Sequence, residues 1–117
     1  MELDMPKARA LLSALVNEVY QDAMLPTDEP SDVHTALWCD TSTDNYAVWC
    51  VGWDTVTGRV LAPSVYLRIA QGKIYVEENK TEIDLIERLL AADIPATQIV
   101  LGYMHPNERP YFEFAVA

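Results

Sequence analysis

Histidine, aspartate, cysteine, serine and arginine are the side chains here that could do chemistry, and their spacing decides what each can do. The two histidines, His34 and His105, stand far apart, and no CxxC, HxxxH or HExxH pattern supplies either with a second metal ligand. No metal site is expected. Asp40, Asp44 and Asp54 could pair as proton-exchanging or cation-binding carboxylates. All three fall where strand-like runs reverse, and aspartate suits turns because its side chain bonds its own backbone. Turn chemistry is the favoured reading. The stretch "DEPSD", residues 28–32, lacks the glycine and the spacing of a calcium loop. No serine sits in a GxSxG elbow, and no glycine-rich run is built to cradle phosphate. Cys39 or Cys50 with His34 has the ingredients of a nucleophile and its base. The strand pattern turns Cys39 toward the core, where a cysteine is a small inert apolar group. Arg109, in "HPNERPY", is a lone base among prolines and aromatics, placed to pair with the C-terminal tail or with Glu108. These residues form no catalytic constellation and call for no cofactor.

The elements that must position them fit one domain over residues 1–117, with half of the residues apolar and one core expected. Acidic residues number 18 and basic ones 8, for a net charge of −10. Such a surface repels phosphates, and the basic residues are scattered rather than striped, so direct nucleic-acid binding is disfavoured. A basic protein partner, including one that itself binds DNA, suits the charge. No apolar run reaches the ~18 residues that span a bilayer. The acidic, then amphipathic N-terminus is unlike a signal peptide. A cytoplasmic protein with reduced thiols is expected.

Ala8, Leu11, Leu12, Leu15, Val16, Val19 and Tyr20 recur at three- and four-residue steps, the stripe of a helix capped by Asp4 and opened by Pro6. It stops near Met24, and "LPTDEPSD" follows as a loop. From Val33 to Glu78 the pattern is that of four strands in three hairpins. Gln71–Gly72 makes a two-residue turn that pairs Ile69 with Ile74 and Leu67 with Val76. The turn "DTVTG" pairs Val51 with Leu61 and Ala47 with Val65. The loop "TSTDN" sets Trp49 opposite Leu37 and Ala47 opposite Cys39. That register separates Cys39 from Cys50 by roughly 13 Å, too far for a disulfide. Pro63 inside the third strand signals an edge position or a bulge. A second helix follows, capped by Thr81 with Asp84 three residues on. Its buried stripe is Ile83, Ile86, Leu89 and Leu90. "PATQIVLGY" then gives a helical turn and a short extended piece.

The fold class expected is α+β: an antiparallel sheet of about four strands, packed on one face by the two helices, with a docked, extended C-terminal tail. The core face collects Val33, Leu37, Cys39, Trp49, Val51, Trp53, Leu61, Val65, Leu67, Ile69, Ile74 and Val76. The other face carries Trp38, Tyr46, Val48, Val60, Tyr66 and Tyr75, beside His34, Arg68 and Glu77. Aromatic residues on a second face mark a candidate interface. Either loops and the tail cover this face, or it meets a partner or a second copy. In the tail, Tyr111, Glu113 and Ala115 alternate with Phe112, Phe114 and Val116, a segment that could add to the sheet or lie across its second face.

Four stretches together resemble one family: "DTSTDNYAVWCVGWD", "GKIYVEENKTEID", "ADIPATQIVLGY" and "NERPYFEFAVA". They look like the XisI family, the fdxN element excision controlling factor proteins of cyanobacteria. The resemblance rests on Asp40, Asp44, Tyr46, Gly52, Trp53 and Asp54, on Gly72, Lys73, Ile74 and Thr81, and on Ile94, Pro95 and Ile99 to Gly102. Arg109 and Phe114 to Ala117 complete it. It covers nearly the whole chain and implies that the chain ends where family members end. The chain departs from the family pattern in three places. Its His-Pro element is displaced to His105–Pro106, Tyr66 and Arg68 stand where the family often has His and Asp, and "DTVTG" is longer than the usual turn.

The resemblance implies a role rather than a reaction. Such proteins serve programmed excision of a DNA element, in DNA recombination, beside a site-specific recombinase and a companion with a nuclease-like fold, XisH. An accessory or controlling protein that works by protein–protein interaction is therefore expected, not an enzyme. The acidic balance suits an antitoxin-like inhibitor occupying the companion's DNA groove. Direct DNA binding within the excision complex is the competing reading, and the scattered basic residues oppose it.

Overall fold

The computed structural model describes residues 2–25 and 31–117. Helix α1 spans Met5–Ala23. The Asp4 side chain accepts from the Lys7 amide at its N-terminus, and Pro6 lies in the first turn, where the missing N–H costs nothing. Its stripe buries Ala8, Leu12, Leu15, Val16 and Val19, with Leu11 and Tyr20 at the margins. Of the loop expected next, residues 26–30 lie outside the described residues.

Strands β1 (Val33–Asp40), β2 (Asn45–Asp54), β3 (Gly58–Ala70) and β4 (Lys73–Asn79) follow, then α2 (Leu85–Ala91) and β5 (Ile99–Leu101). They form one five-stranded sheet in sequence order, with β5 parallel to β4 and every other pair antiparallel. Four strands are expected from the sequence; the fifth is the short "IVL" piece, brought beside β4 by the crossover through α2. A parallel neighbour needs such a crossover.

Both helices cover one face. Leu85 and Leu89 of α2 join the α1 stripe and Val65, Leu67, Ile69, Ile74 and Val76 of the sheet in a single apolar cluster. An ion pair from Arg88 to Glu18, 2.6 Å, ties the helices together. Helix α2 starts later than its sequence suggests. Asp84, not Thr81, is its N-cap, accepting from the Glu87 amide. The reason is Asn79, whose carbonyl oxygen takes both the Thr81 amide and hydroxyl while its NH2 group donates to the Ile83 carbonyl. That knot uses the groups a helix start would need. Leu90, expected inside, is exposed.

The sheet's registers decide its faces. The β3–β4 hairpin pairs Ile69 with Ile74 and Leu67 with Val76, as its two-residue turn requires, with positive φ at Gln71 and Gly72. The first hairpin differs from expectation by one residue along its whole length, and the second over part of it. The first loop has four residues, so Asp40 faces Asn45 and Leu37 faces Val48. The second hairpin keeps Val51 opposite Leu61 but carries a bulge beside Pro63, and Val48, rather than Ala47, meets Val65. The extra residue is Ser64, whose hydroxyl donates to the Val48 carbonyl. A one-residue slip turns every side chain of a strand over. Strand β2 therefore buries Tyr46 and Val48 and presents Trp49 to the far side, the reverse of the expected facing. Trp53 and Leu61, expected in the core, are 62% and 60% exposed.

Gly52 is required where it stands. It has φ of +152°, and a Cβ there would lie 2.0 Å from the Asp32 carbonyl oxygen. That approach lets the chain ahead of β1 bond the Trp53 amide through Asp32.

Candidate functional site

The face away from the helices carries exposed and half-buried aromatic residues. Trp38 on β1 and Trp49 on β2 pack with ring centres 5.1 Å apart at 50°. With Tyr66 of β3, Ala47, and Asn45 and Thr43 at the loop, they line a cleft of about 320 Å³. The Tyr66 hydroxyl donates to the Asn45 side-chain oxygen at 2.5 Å and so fixes the cleft's floor. Trp38 is 57% exposed. Trp49 is half-buried, and its indole N–H, among the described residues, is the one buried side-chain polar atom without an acceptor. Such an unmade bond costs about 1–3 kcal/mol. Trp53 continues the face by strand alternation, with the Arg59 guanidinium 5.4 Å from its ring centre.

Of the six residues expected on this face, Trp38 and Tyr66 meet in the cleft. Tyr75 shares the face but is buried, and Arg68 lies over its ring at 4.2 Å while pairing with Glu77. Tyr46 and Val48 are fully buried in the core cluster and do not belong to the face. Val60, opposite Gly52, falls on the helix side, because the Ser64 bulge reverses the alternation along β3. Trp49 and Asn45 are cleft residues that the sequence reading missed. One local signal pointed to them: "DTST" is an Asx turn. It fixes Asp40 as the last residue of β1, and with it the register.

The carboxylates around the cleft hold the loop. Asp40 Oδ1 accepts from the Ser42 amide and hydroxyl and the Thr43 amide, and Oδ2 from the Thr43 hydroxyl. The two hydroxyls and then the two amides bring its pKa down to about 2. Asp44 occupies a left-handed position, φ 57°, and receives both Nε (2.9 Å) and Nη2 (3.3 Å) of Arg9 from α1. This fork lowers its pKa, and the Tyr46 hydroxyl donates to the same carboxylate. Burial, then the bond to Asp44, pushes Tyr46 up to about 12. Asp54 accepts from the Val56 amide and shapes the β2–β3 turn. Asp40 and Asp44 thus hold a proton less tightly than a free carboxyl, the opposite of what a general acid needs.

The remaining motif residues also build structure. Arg109 donates Nε to the carbonyls of Leu101 (3.2 Å) and Met104 (3.0 Å) and Nη1 to that of Val116 (3.1 Å). It thereby staples the tail to the end of β5. Phe114 packs on the core cluster, and the Ala115 amide bonds the Ile99 carbonyl, so Ala115 bridges to Val100 at the sheet's edge. Tyr111 and Phe112 are exposed. The tail thus meets the edge over one residue instead of running as a strand. Both cysteines are free, and Cys39, exposed, shares a hydrogen bond with Ser13 of α1. His34 and His105 are exposed, and His105 accepts from the Asn107 amide. Among the described residues, no three His, Cys, Asp or Glu side chains gather as metal ligands, and no helix is long and apolar enough to cross a membrane.

The model of the XisI protein family matches residues 4–116. The fold is similar to a crystal structure of the fdxN element excision controlling factor XisI from Anabaena variabilis ATCC 29413. That similarity has 34% identity and a TM-score of 0.84, over 97% of this chain and 98% of that one. It is also similar to a XisI-like protein of the same organism, at 28% identity and a TM-score of 0.83, over 97% of this chain and all of the other. Among curated proteins no match is found.

Proposed function

The chain belongs to the XisI family, and on that premise we propose that it is a controlling factor for excision of a DNA element, acting in the cytoplasm by contact with other proteins. Its partners are a nuclease-like protein of the XisH type and, through it, a site-specific recombinase. The observation that carries this reading is the aromatic face opposite the helices, where Trp38, Trp53 and Leu61 are each more than half exposed. Exposed aromatic residues in one patch support a protein interface. The net charge of −10 supports a basic partner.

The test is co-expression with the XisH-type protein encoded nearest to this chain's gene, followed by purification through a tag on one protein. A stoichiometric complex at micromolar concentration is expected. Two separate proteins under those conditions would end the reading. The same charge favours an inhibitory mode in which this chain blocks the partner's DNA-binding groove. In that mode the complex weakens steeply as salt rises, because screening shortens the reach of the attraction, and the partner's DNA retardation disappears when this chain is added.

A further inference from the structure

We infer that the outer edge of β1 takes up an extended segment of another protein, apolar at its centre and basic at both ends. That segment adds to the sheet as a strand and seats one large side chain in the cleft of Trp38, Trp49 and Tyr66. The inference rests on the reading of the chain as a protein that acts by binding another.

Strand β1 ends the sheet, and among the described residues it pairs with β2 alone. The phase of its hydrogen bonds follows from the bond between the Trp53 amide and the Asp32 carbonyl, 3.3 Å. Main-chain groups alternate along an antiparallel pair. Those of His34, Ala36 and Trp38 therefore serve β2, and those of Thr35, Leu37 and Cys39 point outward. Outward amides and carbonyls are a template for another strand. Proteins usually guard such an edge with lysine, proline, a bulge or a covering segment. Residues 33–39 contain no charged side chain and no proline. The opposite edge is treated differently, for there the tail bonds Ile99 through Ala115.

The ends of β1 give the occupant its chemistry. Asp32 and Asp40, both exposed, stand at the two ends of the strand, and exposed Asp54 lies at the Asp32 end of β2. An apolar middle between carboxylates complements a strand with lysine or arginine at both ends. A second copy fits poorly. The antiparallel register of greatest overlap, centred on Ala36, sets Asp32 against the partner's Asp40 and Asp40 against the partner's Asp32. Like charges directly opposite are destabilising.

The experiment titrates the full chain with a blocked synthetic peptide that has a valine and phenylalanine centre and lysine pairs at both ends. Binding is followed by tryptophan fluorescence and by amide hydrogen exchange. Saturable binding is expected, with exchange slowed at Thr35, Leu37 and Cys39. Thr35→Pro should weaken binding at least about tenfold, since it removes an outward N–H at an edge where proline is tolerated. Trp38→Ser, at an exposed position, should do the same by removing a wall of the cleft. Replacing the lysines by glutamates should abolish binding. The inference is overturned by an absence of saturable binding at concentrations on the order of 1 mM, by protection away from β1, or by variants that bind as well as the parent. A chain dimer that Thr35→Pro dissociates would assign the edge to a second copy and overturn it equally. Failure to co-purify with the nuclease-like protein would leave a positive peptide result standing. A co-purified complex indifferent to Thr35→Pro would leave the excision-control reading standing and remove the edge.

Discussion

Asp93 holds a left-handed backbone, φ 66°, directly after α2. Its amide bonds the Leu90 carbonyl, and the Ile94 amide reaches back to Leu89, the two bonds of a Schellman stop with apolar Ile94 against Leu89. A residue with a Cβ pays roughly 1–2 kcal/mol in this conformation, and glycine's freer unfolded chain takes back about 0.4–1 kcal/mol. Asp93→Gly should therefore stabilise the protein by about 0.5–1 kcal/mol, read as a raised Tm; a lowered Tm would show that the aspartate serves some contact here. Asp40 and Asp44 contribute to the acid behaviour of the first hairpin. Both have pKa values lowered by folding, Asp40 to about 2. An acid depressed in this way adds stability above its unfolded value, ~3.9, and loses it as pH falls through the folded value. The first hairpin should weaken between about pH 4 and about pH 2. Thermal melts of Asp40→Asn should fall less across that window than those of the parent. An equal fall would place the acid sensitivity elsewhere.

At the level of elements, what could be read from sequence depended on how local the determinants were. Helix α1 was legible because its stripe, its cap and Pro6 all agree. The Gln71–Gly72 hairpin was legible because a two-residue turn permits one register. The faces of β2 were not, since they depend on a loop length set by Asp40's side chain and on one bulged residue, Ser64. Pro63 announced the bulge without saying which residue it would expel. Half of the candidate face was consequently read from the wrong side of a strand. Trp38 and Tyr66 survived because β1 and the end of β3 kept their phase, while Tyr46 and Val48 passed to the core. The tail is a further element with a measurable share of stability. Half-burial of Phe114 is worth about 1 kcal/mol and the Ala115 hydrogen bond about as much again. Removing residues 111–117 should cost about 2 kcal/mol and lower Tm. An unchanged Tm would show that the tail's contacts add nothing to stability.

The whole molecule is two-sided. Helices and core occupy one side, and the aromatic face, with Trp38, Trp49 and Trp53, the other. The net charge of −10 surrounds both. Its field should be visible in solution: the ratio of caesium to iodide quenching of the tryptophans should exceed that of free tryptophan amide at low salt. Equal relative quenching would mean that the field does not reach the face. Composition made the charge plain from the start, whereas the placement of the tryptophans required the true registers.

The sheet is also asymmetric at its two edges: among the described residues the outer edge of β1 is unpaired, and the other edge is occupied at Val100 by Ala115. Pairing of two such edges, already opposed by Asp32 against Asp40, would stop at two molecules, because each offers a single unpaired edge. A chain cut before residue 111 would offer two. Successive copies could stack without limit, since an edge-to-edge contact that does not close on itself propagates. The last few residues of this protein are thus a chain terminator in the polymer sense, and their loss should appear as growing light scattering from filaments.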